Sequence, residues 1–513
     1  MQGHLHVAED TCHNKSELQV NTSEQPLLLV LSPLIVLVMT SVDLVVVGAG
    51  IVGLAHAWHA VQRGLSVAVV ERDEHAVGAS VRNFGHGCFT AQDGVAFSYA
   101  MAARAEWLTL AREAGFWLRE SGSLVVAREA DELAVLEEFA EIRDVELFNN
   151  PTRRSFNNAA VGSLNNPLQG SFNNPTTWLL NSSTAEPVSK PAGGSPNDTH
   201  VGSLNNPATG LLNSSTAEPA SKLAVGSLNN APVGSFNDPR AGSFNDVRAG
   251  SFNDVRAGSF NDPTGGLLND PSILGAALLP LDIRVNPREA VHAIARLLND
   301  RGVTFHWSTN VLTVEPGLVR TSRGEIRCRA TVVAVGHDVD RFFPEIAEER
   351  EIQRCQLRML RVAHGGVIDP AVLTGFSMLR YDAFARCPSI EKVRRRLTND
   401  HPELVEAGLN LMFTQLPDGS LTIGDTHHYS RTVDPYRSKD LDDLVLTETA
   451  RLLGVPSLHV LERWRGIYAS APEPFLTATP APLTRAVSVT SGIGMTTALG
   501  LAPAVLDDLL QEM

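Results

Sequence analysis

Apolar and polar positions along the chain divide it into stretches that read as strands and helices and one long stretch that reads as neither. Residues 43–50, DLVVVGAG, are apolar without alternation, the pattern of a strand buried on both faces of a parallel sheet. Residues 51–64, IVGLAHAWHAVQRG, predict a helix, and 65–71, LSVAVVE, a second strand. Late in the chain, RATVVAVGHDVDRFFP (329–344) predicts another buried strand. AVSVTSGIGMTTALGLAPAVLDDLL (486–510) predicts a strand, a glycine turn and a closing helix. Between these, CQLRMLRVAH and SLTIGDTHHY predict strands of an antiparallel sheet.

From about residue 146 to 270 this patterning stops. AGSFNDVRAGSFNDVRAGSFND repeats every eight residues, with Gly234, Gly242, Gly250 and Gly258 in register. LLNSSTAEP occurs at 179 and again at 211. Each octad offers one Phe or Leu among Gly, Ser, Asn, Asp and Pro, too little apolar surface to offset the entropy of ordering. The expectation is a disordered insertion over 149–271, with an irregular solenoid or an interaction tract as the alternatives. Such an insertion is tolerated where it replaces a surface loop, because closure entropy grows slowly with length. With it removed, LAVLEEFAEIRDVEL and ILGAALLPLDIRVNPREAVHAIARLLNDRGV become neighbours in one folded unit.

The 513 residues carry a net charge of −15, which argues against a nucleic-acid surface. The basic patch KVRRRL (392–397) reads as a solvated helix face. Five scattered cysteines without a CxxC pair fit free thiols in a reducing compartment, and the expected location is the cytoplasm. The apolar run at 26–39, PLLLVLSPLIVLVM, is short for a membrane span, and its acidic leader is wrong for a secretory signal. Residues 1–39 therefore read as an extension or a mis-assigned start, with Met39 as the working start; a membrane tether is the alternative.

The glycines after the first strand fall as Gly48-x-Gly50-x-x-Gly53. Gly48 makes a tight turn, Gly50 lets the backbone approach a pyrophosphate, and Gly53 allows close helix–strand packing. The helix N-terminus offers amides and its dipole to the anion. Glu71 ends the second strand about twenty residues on, where a carboxylate reaches ribose hydroxyls. Strand, glycines, helix and acid together define a dinucleotide site. His56 and His59 on that helix read as packed or exposed residues.

Three further segments favour a resident flavin over a diffusing nicotinamide. GASVRNFGHG places Arg82 and Asn83 in a polar turn after the second strand. The strand at 329–335 ends in Gly336. The terminal Gly492-x-Gly494 turn opens the last helix, whose N-terminus suits the pyrimidine end of a flavin ring. A nicotinamide-linked dehydrogenase would leave that last turn unexplained. A third alternative is a non-catalytic scaffold carrying the array on a degenerate flavin fold.

Over residues 40–148 and 272–513 the chain resembles the D-amino-acid oxidase, glycine oxidase and sarcosine oxidase superfamily of FAD-dependent oxidoreductases. The matching words are VVGAGIVGL…VVERD, VNPREAVHAIARLLNDRGVTFHWSTNV, DGSLTIGDTHHY, WRGIY and GIGMTTALGLA. SVRNFG, IGDTHHY and WRGIYA resemble one branch, proposed to act on aminophosphonates. The resemblance implies an α/β fold: a doubly wound, Rossmann-like FAD domain built from discontinuous segments (40–148, 272–345 and 471–513). A substrate domain with an antiparallel sheet (346–470) would complete it. It also implies that a C–N bond of a small amine is oxidised by hydride transfer to flavin N5, with dioxygen or another electron acceptor reoxidising the cofactor. Cofactor contacts then fall to Gly48, Gly50, Gly53, Glu71, Arg72, Ser80, Arg82, Asn83, Gly85, Val311, Gly336, Gly492, Gly494 and Met495.

In the amino-acid branches an Arg-Pro pair after a Trp-x-Gly word supplies the arginine for the substrate carboxylate. Here Trp464-Arg465-Gly466-Ile467 is followed by Tyr468, which favours another anion or another binding mode. A phosphonate still calls for a guanidinium, and Arg380, beside Tyr381, is the first candidate, with Arg431 second. A bland reading for both arginines is a surface or sheet-edge position. His427 and His428 are adjacent, so one faces the cavity if they lie on a strand; no third ligand at suggestive spacing supports a metal there. His86 reads as an active-site residue. Cys88 beside it reads as a structural thiol, a covalent flavin tether through either residue being the alternative. The catalytic candidates are His86, His427 and Tyr468.

Overall fold

A computed structural model describes residues 41–149 and 272–513, apart from residue 437. The leader and nearly all of the repeat array lie outside the described residues.

The chain enters through β1 (Ser41–Val47), α1 (Ile51–Gln62) and β2 (Val67–Val70). A long helix, α2 (Gly94–Ala114), leads to β3 (Ser123–Ala127), α3 (Ala130–Ile142) and β4 (Glu146–Asn149). Beyond residue 271 come β5 (Gly275–Leu279), β6 (Ile283–Val285), α4 (Pro287–Asp300), β7 (Thr304–His306) and β8 (Gly324–Val333). Next are β9 (Gln353–Val362), β10 (Ala371–Leu373), α5 (Ile390–Asp400), β11 (Met412–Gln415) and β12 (Leu421–Ser430). The chain closes with α6 (Asp440–Leu452), β13 (Val460–Ala481), β14 (Thr484–Ser491) and α7 (Gly494–Leu510).

One sheet runs through the whole unit in the order β4-β5-β3-β10-β11-β12-β9-β13-β14-β8-β1-β2-β7. Its last five strands are parallel: β14 beside β8, β8 beside β1, β1 beside β2 and β2 beside β7. Here the unbroken apolar run of β1 acquires its reason. Leu44 and Val46 pack into a core with α1, α2, α4 and α7, while Val45 and Val47 pack into a second core on the opposite face. A hairpin, Val311–Glu315 with Leu318–Thr321, and Phe342 and Phe343 cover that second face. Residues alternate between faces along a strand, so only a strand sealed on both sides can be apolar at every position.

The other half is mainly antiparallel. β9 pairs antiparallel with both β12 and β13, as the CQLRMLRVAH and SLTIGDTHHY patterns predict. β13 is long enough to serve both halves. Its first part pairs with β9, and Phe475–Ala481 pairs with β14. α6 lies over the outer face of this region, where Arg358 Nε donates to Asp442 at 2.9 Å. A separate three-stranded antiparallel sheet joins His86–Gly87, β6 and Leu118–Arg119. The fold is thus mixed α/β, a parallel dinucleotide-type half joined to an antiparallel half.

The two flanks of the array meet at one place. β4 and β5 pair antiparallel, with Asn149 opposite Gly275. β5 itself lies beside β3 in the antiparallel half. KVRRRL lies on α5, with Lys392, Arg394 and Arg395 exposed and Val393 and Leu397 buried beneath them. The four described cysteines are free and buried. Among the described residues, no helix is long and apolar enough to cross a membrane.

Candidate functional site

The glycine turn is shaped by contacts that leave no room for side chains. Gly48 has φ +103°, and a Cβ there would lie 2.5 Å from the Ala334 carbonyl oxygen of the neighbouring strand. A Cβ on Gly53 would lie 1.9 Å from the Gly48 oxygen, so α1 rests directly on the turn it leaves. Glu71 braces the same turn: its Oε2 accepts from the Ala49 amide at 2.9 Å and its Oε1 from the Asp73 amide at 3.1 Å. Ser80 Oγ accepts from the Ile51 amide at 2.9 Å. The first amides of a helix have no intrahelical partner, so this end of α1 presents donors and positive potential to an anion.

Above the turn lies a cavity of about 610 Å³, a volume in the range of cofactor sites. It begins at Glu71, Arg72 and Val311, passes Gly48, Gly50, Ser80, Arg82 and Gly336, and ends at Tyr468, Gly492, Gly494 and Met495. Arg72 Nη1 donates to Asp338 Oδ2 at 2.7 Å, and Arg341 and Arg354 also lie against that carboxylate. Burial works against the charge of Asp338, but the facing His337 and these arginines hold its pKa below the ordinary value. At the far end, Trp107 Nε1 donates to the Met495 carbonyl at 2.8 Å, fixing the start of α7.

Three expected contacts sit elsewhere or are otherwise engaged. Gly53 is not on the cavity wall but packs against the Gly48 carbonyl and Val46. Gly85 is not on the cavity wall; its φ is +69° and a Cβ would lie 2.0 Å from the Val285 oxygen, so it lets the chain cross β6. Asn83 reaches the wall, but its amide donates to the Ala79 and Ser80 carbonyls and its Oδ1 accepts from the Gly85 amide, which closes the 79–85 turn. His56 and His59 are packed in α1, His56 against the Val52 carbonyl and His59 against the Leu499 carbonyl.

A second cavity of about 130 Å³ adjoins the first and shares Tyr468, Gly492 and Met495 with it. Five of the six residues expected at the reacting end line this chamber: His86, Arg380, Tyr381, His427 and Tyr468. Arg380 is anchored by two oxygens, donating through Nη2 to Tyr468 Oη and to the Ser491 carbonyl, both at 2.9 Å. Tyr381 Oη donates to Met412 Sδ at 3.6 Å. Burial pushes the Tyr468 and Tyr381 phenols well up, so both are protonated donors at neutral pH. His427 faces the chamber, while Arg431, the sixth residue, is exposed one position beyond β12 and outside the chamber lining.

His86, Cys88 and Asp282 form the one group of metal-ligating type among the described residues. The Asp282 carboxylate is already filled. It accepts from the Phe89 and Thr90 amides, the Thr90 hydroxyl and Ser123 Oγ, and lies 3.2 Å from His86 Nε2. Burial, with Asp282 adding to it, pushes the Cys88 thiol well up. A protonated thiol beside a fully bonded carboxylate is a poor donor set for a cation and a good staple for the small sheet.

Several chamber residues do not stand out as candidates in the sequence, Asp425 and Asn410 among them. Asp425 was legible in principle, since in GDTHHY it stands two positions before His427 and strand periodicity puts both on one face.

A parallel dinucleotide fold with a second chamber at the far end of its cofactor cavity defines a class: flavin-dependent oxidoreductases with an antiparallel substrate sheet. The chain belongs to the DAO family of FAD-dependent oxidoreductases, whose family model matches residues 43–183 and 262–507. The break in that match falls within the repeat array. No curated protein matches the sequence. Among solved structures, glycine oxidase from Bacillus cereus ATCC 14579 superposes with a TM-score of 0.56 at 13% identity, covering 92% of this chain and 96% of that one. L-proline dehydrogenase from P. horikoshii gives 0.55 at 15% identity, covering 91% and 93%. L-alpha-glycerophosphate oxidase from Mycoplasma pneumoniae, with FAD bound, gives 0.52 at 14% identity, covering 92% and 95%. At such identities the likeness shows the fold. The cofactor is FAD, and the long cavity fits it: a phosphate-type helix N-terminus, glycines where side chains would intrude, and a carboxylate at the end of the second strand.

Proposed function

We propose that this protein oxidises the C–N bond of a small amine that carries an anionic group, an aminophosphonate being the first candidate and a glycine- or sarcosine-type amino acid the second. The observation that carries this reading is Arg380, a guanidinium on the wall of the small chamber where it meets the cofactor cavity. It is tethered to Tyr468, the residue standing where the amino-acid branches resembled here have their arginine. The cation is therefore supplied from a different segment, which changes the direction from which an anion is held. One structural neighbour, glycine oxidase, is named for a small amine with an anionic group, and this supports the substrate class.

In this reading Gly48, Gly50 and the N-terminus of α1 hold the pyrophosphate of FAD, and Glu71 the adenosine ribose. Arg72 and Val311 lie at the adenosine end, with Ser80, Arg82 and Gly336 along the way. Gly492, Gly494 and Met495 lie at the ring. Bound FAD supplies the two-electron acceptor. Arg380 pairs with the anionic end of the substrate through its charge and the N–H donors of Nη1 and Nε, its Nη2 being held by Tyr468 and Ser491. Tyr468 and Tyr381 close the chamber with protonated hydroxyls, and His86 forms its back wall through Asp282. Most of the chamber's polar side chains are buried or half-buried, so the charges within it act at a lower dielectric than in water.

The test is an absorption spectrum of the purified protein, recorded anaerobically before and after adding 2-aminoethylphosphonate, its N-methyl and hydroxy relatives, glycine or sarcosine. Bleaching by an aminophosphonate alone is the expected result. Bleaching only by glycine or sarcosine retains the amine oxidation and rejects the phosphonate. A flavin that none of them reduces rejects the reading.

A further inference from the structure

The small chamber holds a feature that Arg380 does not account for. Asp425 is 3% exposed and forms part of the chamber wall. Its Oδ1 accepts from Asn410 Nδ2 at 3.1 Å, while its Oδ2 accepts no hydrogen bond from another described residue and lies 3.9 Å from His427 Nε2. The other ring nitrogen, His427 Nδ1, lies 2.8 Å from the Gly408 carbonyl oxygen. A carbonyl only accepts, so Nδ1 carries the proton and Nε2 of the neutral ring presents a lone pair. Asn410 donates to the carboxylate through its NH₂, and its own Oδ1 is buried with no partner among the described residues.

Three acceptors, Asp425 Oδ2, His427 Nε2 and Asn410 Oδ1, thus belong to residues of one chamber wall, and no described residue supplies a donor to them. An unmatched buried acceptor is destabilising by an amount comparable to a lost hydrogen bond. Three together form a receptor for a group with several acidic N–H bonds. Resting on the amine reading above, we infer that Asp425, His427 and Asn410 bind the substrate's ammonium group, and that the Asp425–His427 pair takes one of its protons. The step balances simply: R–NH₃⁺ and the Asp425 carboxylate give R–NH₂ and the Asp425 carboxylic acid, or the proton goes to His427 Nε2. No electrons move. The step matters because a hydride leaves carbon readily only when the neighbouring nitrogen has its lone pair free.

The surroundings favour such a transfer. Arg380, Tyr381, Cys355 of β9, Tyr429 and Tyr468 face the pair from the elements packed against it, and His86, Cys88 and Asp382 share the chamber wall. Of the five facing groups only Arg380 is charged at neutral pH, because burial pushes the phenols up and the Cys355 thiol up to about 11. Burial also raises the Asp425 carboxyl, which brings it nearer the range where protons are exchanged at neutral pH, and lowers the His427 imidazole, which keeps that ring neutral with its Nε2 lone pair free. Arg380 for the anion and Asp425 for the ammonium make the chamber selective for a zwitterion of opposite charges on one short molecule.

The experiment is the rate of anaerobic flavin reduction by the amine that best reduces the wild-type protein, measured against pH for the wild type, Asp425→Asn and His427→Gln. Asp425→Asn is expected to lose about 100-fold at neutral pH and to recover as pH rises through the amine's own pKa, where solvent supplies the neutral amine. A variant that merely loosens the chamber would be slowed equally at all pH. In parallel, binding of α-aminoisobutyrate, which has no hydrogen on its amine-bearing carbon, is compared with binding of isobutyrate. The substitution is expected to weaken the first about 10-fold and leave the second unchanged. An Asp425→Asn protein that reduces at the wild-type rate at every pH overturns the inference while leaving amine oxidation intact. A wild-type flavin that no amine reduces fails the parent reading instead. If Asp425→Asn does not retain FAD, His427→Gln carries the same pH test, with the same expected recovery and the same overturning result.

Discussion

The glycine turn lies on the wall of the large cavity and the small chamber adjoins that cavity at Tyr468, Gly492 and Met495, and the two are built on different principles. Around the turn, the chain holds itself: the Ala49 and Ile51 amides donate to Glu71 and Ser80, and Gly48 and Gly53 admit no Cβ. In the chamber, side chains from β9, β12, β13, the loops after residues 378 and 406, and the start of α7 converge, and several of their polar atoms find no partner among the described residues. The turn is braced by its own hydrogen bonds, whereas the chamber keeps polar atoms without a partner among the described residues.

The sharpest way to break the first region is to give its tightest glycine a methyl group. In Gly53→Ala the new Cβ would lie 1.9 Å from the Gly48 oxygen, a backbone atom that moves only if α1 lifts off the turn. The expected outcome is protein without bound FAD, read as loss of visible flavin absorption. Retention of stoichiometric flavin would mean that the turn is softer than its contacts imply.

The chamber should fail in a different manner. Arg380→Met is expected to keep its FAD and to lose roughly 100- to 1000-fold in kcat/KM toward the anionic amine, as for truncation of a buried, hydrogen-bonded charge. Arg431→Ala, changing an exposed arginine outside the chamber, should alter kcat/KM by less than about two-fold. If the two arginines behaved alike, the chamber would not be the place where the anion binds.

This contrast also decides what could be read from sequence. The turn is contained in residues 43–73, and each of its parts has a fixed offset that follows from helix and strand geometry. The chamber joins residues that are far apart in the chain: Arg380 touches Tyr468 and Ser491, and His86 meets Asp282. Residue type together with the family resemblance pointed to Arg380, His86, His427, Tyr381 and Tyr468. The same reasoning ranked Arg431 beside them, because nothing local reveals that β12 ends one residue earlier. Asn410 could not have been found, since its meaning depends on the Asp425 carboxylate that its amide meets across the sheet. The separation of the two halves was legible in the strand patterns, but their joining through the single long β13 was not.

Acid offers a gentler way to separate the regions. His56 is fully buried in α1, where desolvation pushes its pKa down to about 4 from 6.5. The unfolded chain binds the extra proton between those values and the folded one does not, so stability holds above the ordinary imidazole range and falls as pH drops toward 4. The loss is about 3 kcal/mol for this group when complete. Thermal unfolding of wild type and His56→Leu against pH should show the gap between their Tm values changing in the variant's favour across that window. A constant gap would mean that His56 takes its proton in the folded protein, and that this half is more open than its burial indicates.

The smallest effect tests how the chamber's cation is held. Tyr468→Phe removes one of the two oxygens that anchor Arg380 and leaves the Ser491 carbonyl. One hydrogen bond to a charged group contributes about 1–2 kcal/mol, so KM should rise roughly 5- to 30-fold with little change in the limiting rate of flavin reduction. The two parameters carry different information. If KM alone responds, Tyr468 positions the guanidinium, and the family's usual arginine has been divided here into a cation and its support. If the limiting rate falls instead, the Tyr468 hydroxyl acts on the reacting atoms themselves, and the anion-binding role would rest on Arg380 without it.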